Sequence, residues 1–324
     1  MRIPRAIVVS LAAGAALLAP SGAAWSQPYP NKPVRMVIAF PPGGTSDYVG
    51  RVVAAKLAEN LGQPVVVDNK PGATGLIGTQ DVQRSAPDGY TILLAPSDFT
   101  LVPALQAKPP YDPVKDFAPV GMVIDYAHVL VANPDVPANN VAELIALAKA
   151  KPGVLNYASG GNGGTNHVSG EWFMSQAGVD ITHVPYKGNG PAIADLLANR
   201  VQFLFTSIGP VEAHLKAGKL KAIAVTGTSR LASLPNVQTV AETIPGYKFT
   251  LWYGVTVPAN TPKPVIDRLN ADLVRTMAAP EVKEKLASIG GTLTVGTPEA
   301  FGTMMRDEVV RWIKLAKDVG IKAD

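Results

Sequence analysis

The chain has 324 residues, 47% of them hydrophobic, with 29 basic and 25 acidic side chains, a formal charge of +4 and no cysteine. That length can bury a substantial core and suits two domains. So small a basic surplus argues against nucleic acid as a partner, and the lack of cysteine excludes disulfides, a thiol nucleophile and a lipid-anchored cysteine.

The first 26 residues differ from the rest. Arg2 and Arg5 precede the short apolar run "AIVVSLAAGAALLA", and Ala24-Trp25-Ser26 places small residues just before Gln27. The pattern predicts a secretory signal peptide over 1–26, with a run too short to span a bilayer comfortably. Removing both arginines reduces the basic surplus to two. An exported, periplasmic protein without disulfides then depends on its core alone.

Strand-like and helical runs alternate along the mature chain. Residues 34–40, "VRMVIAF", read as a strand leading into the glycine turn "PPGGTSD". The helix after it gathers Val49, Val52, Val53, Leu57 and Leu61 on one face and stops at Gly62. Further strands are expected at 65–68, 90–95 and 120–124. A second series follows at 128–132, 155–158, 181–186, 201–206 and 221–226, with helices between. This alternation predicts α/β domains, each a mostly parallel sheet flanked by helices. After the strand-like 249–257, three helical segments begin near Pro264, Pro280 and Pro298, the last gathering Phe301, Met305, Val309, Trp312 and Leu315. The order suggests a chain that leaves a first domain and returns: 27–126 and 252–324 as domain 1, 127–251 as domain 2.

Glycine-rich and polar stretches collect after strands, where open α/β sheets bind ligands. They are "PPGGTSD" (with Gly43, Gly44, Thr45 and Asp47), "PSD" (with Ser97), "SGGNGGTNH" (with Ser159, Asn162, Gly163 and Thr165), "KGNGP" after Tyr186, and "SIGP" beginning at Ser207. Two such turns opposed across a cleft could aim amides and hydroxyls at one ligand. Conformational turns that only supply positive φ are the competing reading. The first turn fits neither the phosphate loop nor the dinucleotide fingerprint. Asp47 would repel an anion directly, so its expected role is to orient loop amides or waters, or simply to favour the helix end. The four histidines show no metal-ligand spacing, Ser207 lies outside a nucleophile elbow, and no motif pairs two carboxylates. No catalytic residue, metal or cofactor is therefore expected.

In order, "YPNKPVRMVIAFPPGGTSDYVGR", "VVVDNKPGATGLIG", "APDGYTILLA", "KDFAPV", "HVPYKGNGPAIADLLANRVQFLF" and "LKAIAVTGTSRLASLPNVQT" resemble the substrate-binding receptors of the tripartite tricarboxylate transporter family, the Bug receptors, across the mature chain. The resemblance implies a periplasmic, two-domain Venus-flytrap fold that closes on a small carboxylate. It places Phe40, Gly43, Gly44, Thr45 and Asp47 in the first jaw, and Ser159, Gly163, Thr165, Tyr186 and Ser207 in or beside the second. It implies a mono- or dicarboxylate ligand, aliphatic or aromatic, and membrane subunits of a secondary transporter as partners to a monomeric receptor. The family often has a small hydroxyl residue where Gly164 stands. It commonly has a Thr-His pair near where this chain has Asp98 and Phe99. An exported enzyme acting on a carboxylate and a receptor presenting its ligand to a membrane sensor are the alternatives.

Export has a direct check. N-terminal sequencing of periplasmic protein should begin at about residue 27, and an intact Met1 would contradict the cleavage.

Overall fold

Residues 29–321 are described by a computed structural model, so the signal-peptide reading of 1–26 lies outside them. The N-terminal part supplies β1 (Val34–Ile38), β2 (Val65–Asn69), β3 (Thr91–Pro96) and β4 (Phe117–Ala127), with α1 (Thr45–Leu61), α2 (Leu76–Gln83) and α3 (Asp98–Leu105) between them. The middle supplies β5 (Val129–Ala132), β6 (Asn156–Ser159), β7 (Thr182–Pro185), β8 (Phe203–Thr206) and β9 (Lys221–Val225). Its helices are α4 (Val141–Ala150), α5 (Thr165–Ala177), α6 (Asn189–Leu197) and α7 (Glu212–Lys216). The chain ends with β10 (Thr250–Pro258), α8 (Lys263–Ala278), α9 (Pro280–Ser288), β11 (Thr292–Leu293) and α10 (Pro298–Val319).

Two sheets result, ordered β11-β4-β10-β3-β1-β2 and β7-β6-β8-β5-β9. Both are mixed. Strands joined by a helical crossover run parallel, as alternation demands: β1 with β2 and β3, and β6 with β7 and β8. The antiparallel pairs involve the segments that travel between sheets. β10 returns between β3 and β4, antiparallel to both, and β5 lies antiparallel to β8 and β9.

Local sequence explains the flanking helices. In α1, Val49, Val53, Leu57 and Leu61 are buried and Gly62 ends the helix in the left-handed region at φ 71°, its N–H reaching the Ala58 carbonyl. In α10, Phe301, Met305, Trp312 and Leu315 are buried, and Trp312 donates Nε1–H to Thr100 Oγ1 on α3 at 3.1 Å.

The chain crosses between the sheets twice, and the two crossings meet. Only His128 separates β4 from β5, and Thr226 and Phe249 flank the outward and return paths. Thr226, wholly buried, accepts the His128 N–H at Oγ1 (2.9 Å) and places that hydroxyl 2.8 Å from the Phe249 carbonyl. Its own N–H donates to the His128 carbonyl, and Phe249 N–H donates to the Thr226 carbonyl, each at 2.9 Å. His128 is itself 2% exposed, and burial pushes its imidazole down to about 3.

Two expectations follow. Thr226→Val keeps the volume but strands the His128 N–H, and should cost about 1–3 kcal/mol by urea denaturation; an unchanged midpoint would show the crossing needs no such bond. The second concerns acid. Because His128 is neutral in the fold but titrates near 6.5 when unfolded, its contribution is complete above pH 6.5 and is lost as pH falls towards about 3. At pH 4.5 the loss from this group should reach about 2–3 kcal/mol. His183, pushed down to about 4 by burial and then by His167, acts in the same direction. Urea midpoints should fall from pH 7 to 4.5, with a shallower fall in His128→Gln; parallel profiles would exclude His128 as a source.

Candidate functional site

A cleft of about 490 Å³ opens between the two sheets, and its walls are the segments that follow strand ends. β1 delivers Phe40 and the Pro41–Ser46 turn, and β3 delivers Asp98. From the second sheet, β6 delivers Gly160 and Gly164, β7 delivers Lys187 to Pro191, and β8 delivers Ser207. This is the position expected of ligands in open α/β sheets.

The first wall is the start of α1. Gly43, at φ 82°, turns the chain, and its N–H donates to Asp47 Oδ2 at 3.0 Å. Asp47 does not line the cleft. It accepts also from Arg51 Nε and Asn69 Nδ2, each at 3.0 Å, while Asn69 donates to the Phe40 carbonyl. Burial opposes the Asp47 charge, but the bonds from Arg51, Gly43 and Asn69 outweigh it and hold the carboxyl below its usual range. The loop is thereby fixed from behind. No side chain caps α1, and the N–H groups of Gly44, Thr45 and Ser46 have no acceptor among the described residues.

The start of α5 is arranged differently. Thr165 N–H donates to Asp98 Oδ1 at 3.0 Å and Thr165 Oγ1 to Asp98 Oδ2 at 3.3 Å, so a first-sheet carboxylate caps a second-sheet helix. Asp98 is 8% exposed; burial pushes its carboxyl up, and the Thr165 bonds oppose that shift. A second direct contact joins the walls, Thr45 Oγ1 to Ser207 Oγ at 2.5 Å.

Of the residues singled out in the sequence, Phe40, Gly43, Gly44, Thr45, Thr165 and Ser207 line the cleft together. Ser97, Ser159, Asn162, Gly163 and Tyr186 do not, and their bonds lie elsewhere. Ser97 Oγ accepts the Trp252 N–H. Ser159 Oγ lies 2.6 Å from His183 Nε2 and accepts the Gly161 N–H. Gly163 N–H donates to His167 Nδ1, the Asn162 carbonyl faces Thr74 Oγ1, and the Tyr186 hydroxyl donates to Asp195. Behind that loop His167 and His183 stack with ring centroids 3.9 Å apart.

Sequence reasoning missed much of the floor. Tyr126 and Tyr253 stack with centroids 5.3 Å apart and line the cleft beside His128, whose Nδ1 is buried without a hydrogen-bond partner among the described residues. Their strands were legible, but nothing in an apolar strand marks which side chain will face a cleft. Thr74, Lys187 and Asn189 also line it, from the loops "PGATG" and "KGNG", whose glycines were the available signal. Asp98 and Lys187 are the cleft's acidic and basic side chains.

Known proteins share this arrangement. Residues 49–321 match the profile of the tripartite tricarboxylate transporter family receptor. Protein BugT of Bordetella pertussis is 37% identical over 297 residues, covering 91% of each chain. The solved structure of the periplasmic binding protein BugD superposes with TM-score 0.85 at 36% identity, over 91% of this chain and all of that one. R. palustris Rpa4515, solved with adipate, gives TM-score 0.87 at 33% identity, over 91% and 99% of the two chains. With its profile match and these full-length likenesses, the chain belongs to the tripartite tricarboxylate transporter receptor family.

Proposed function

We propose that this protein is a periplasmic receptor that takes a small carboxylate into the cleft between its two sheets and delivers it to the membrane subunits of a tripartite tricarboxylate-type secondary transporter. The observation that carries this reading is the uncapped start of α1. Three backbone N–H groups without acceptors converge there with the Thr45 and Ser207 hydroxyls at the edge of the cleft. Helix N-termini favour negative charge, and a carboxylate of modest size fits such a cradle. The adipate bound by Rpa4515 supports the same ligand class. Phe40, Gly43, Gly44, Thr45, Thr165 and Ser207 are the proposed contacts, with Asp47 and Ser159 bracing their loops.

Export by removal of residues 1–26 belongs to this reading, as does hinged closure of 27–126 with 252–324 on 127–251. The receptor acts as a monomer and changes no bond in its ligand. An esterase-like reading of Ser159 beside His183 gains little, because Ser159 is wholly buried and its hydroxyl is held by Gly161.

Thermal shift with a panel of mono- and dicarboxylates tests the class. At about 100 times Kd the native state should gain about 2.7 kcal/mol, with the ligand recovered unchanged. Shifts with neutral sugars alone would overturn the carboxylate assignment, and turnover of a bound acid would favour an enzyme.

A further inference from the structure

The two long helices that point into the cleft are not equivalent. Both starts offer N–H groups without acceptors among the described residues, Gly44 to Ser46 at α1 and Gly164 and Asn166 at α5, but at α5 the Thr165 N–H and hydroxyl already hold the carboxylate of Asp98. Resting on the carboxylate reading above, we propose that Asp98 is a specificity-determining residue. It occupies the anion position at the start of α5, so the cleft favours a ligand with one carboxylate, held at α1, and an uncharged far end.

Asp98 is the first residue of α3, just after β3, yet its hydrogen bonds cross the cleft to a residue 67 positions away. It lines the cleft while being 8% exposed, so its buried charge stands at the edge of the space a ligand would fill. Among the described residues no lysine or arginine balances it; its partners are Thr165 and its own backbone N–H. Its charge is also felt along the floor. Burial raises the Tyr126 and Tyr253 hydroxyls, the latter to about 12, and Asp98 adds to both shifts. A second carboxylate against this wall meets that charge or forces a proton onto Asp98, and either weakens binding. An amide at the same position would keep an acceptor for the Thr165 N–H, set its N–H₂ against the Thr165 hydroxyl and remove the negative charge from this wall. Lys187, exposed just before α6, lies on the second-sheet side of the cleft and is not among the groups that bond or charge-balance Asp98.

Hexanoate and adipate, of equal chain length, separate the two cases. Calorimetry at pH 7.5 should show the parent protein binding hexanoate more tightly than adipate. Asp98→Asn should raise the adipate-to-hexanoate affinity ratio ten-fold or more, and Asp98→Ser should raise it in the same direction. A parent that prefers adipate, or a ratio unchanged within two-fold in the folded variants, overturns the role of Asp98 and leaves the carboxylate reading standing. A parent that binds neither these acids nor any other carboxylate of the panel overturns that reading and this inference with it. The parent comparison needs no variant, so it decides even where a substitution prevents folding.

Discussion

The chain passes between the sheets twice, at His128 and between Thr226 and Phe249, and the side chain and backbone of Thr226 tie the two passages together. Hydrogen bonds to His128 on one side and Phe249 on the other leave its buried polar atoms engaged. Such groups cost most when left unpaired away from water, so the crossing is a fixed axis. Apolar packing runs through the same place, with Tyr126, Val129, Phe249 and Leu251 in one continuous core that reaches both sheets. Everything described in the cleft lies beside this axis. The strand ends that carry the loops are aimed towards one another because the crossing sets the angle between their sheets.

The cleft itself combines rigid loops with few full charges. Asp47 shows how a carboxylate can assist an anion site without entering it: it takes the Gly43 N–H and orders Arg51 and Asn69 behind the turn. The α5 side is braced by stacked histidines and by Ser159. Loops supported this way need little reorganisation when a ligand arrives, which preserves affinity.

Much of the fold was legible in the sequence because hydrophobic period and glycine punctuation agree. The α1 face, its stop at Gly62, and the three prolines that open the C-terminal helices correspond to structure at those residues. The mixed character of the sheets was not legible, since strand direction depends on where a returning segment inserts; nothing in "FTLWYGVTV" says that it lies between β3 and β4. The two-residue β11 is too short for any period to mark. At the site, glycine-rich loops drew notice and supplied most of the lining residues. Tyr126, His128 and Tyr253 sit in or beside apolar strands whose side chains look like core. The pairing of Asp98 with Thr165 depends on two loops from different sheets, a distance no local pattern encodes.

The insertion of β10 between β3 and β4 also orders events in time. The first sheet's middle strand is made of residues 250–258, so β4 has no partner on that side until nearly four-fifths of the chain is present. The second sheet is complete by residue 225 and can form earlier. Contacts between distant segments are slow to make, and unpaired strand edges invite aggregation while they wait. A chain that emerges N-terminus first thus assembles its inserted domain before the domain that begins it, and the last strand to arrive closes the first sheet.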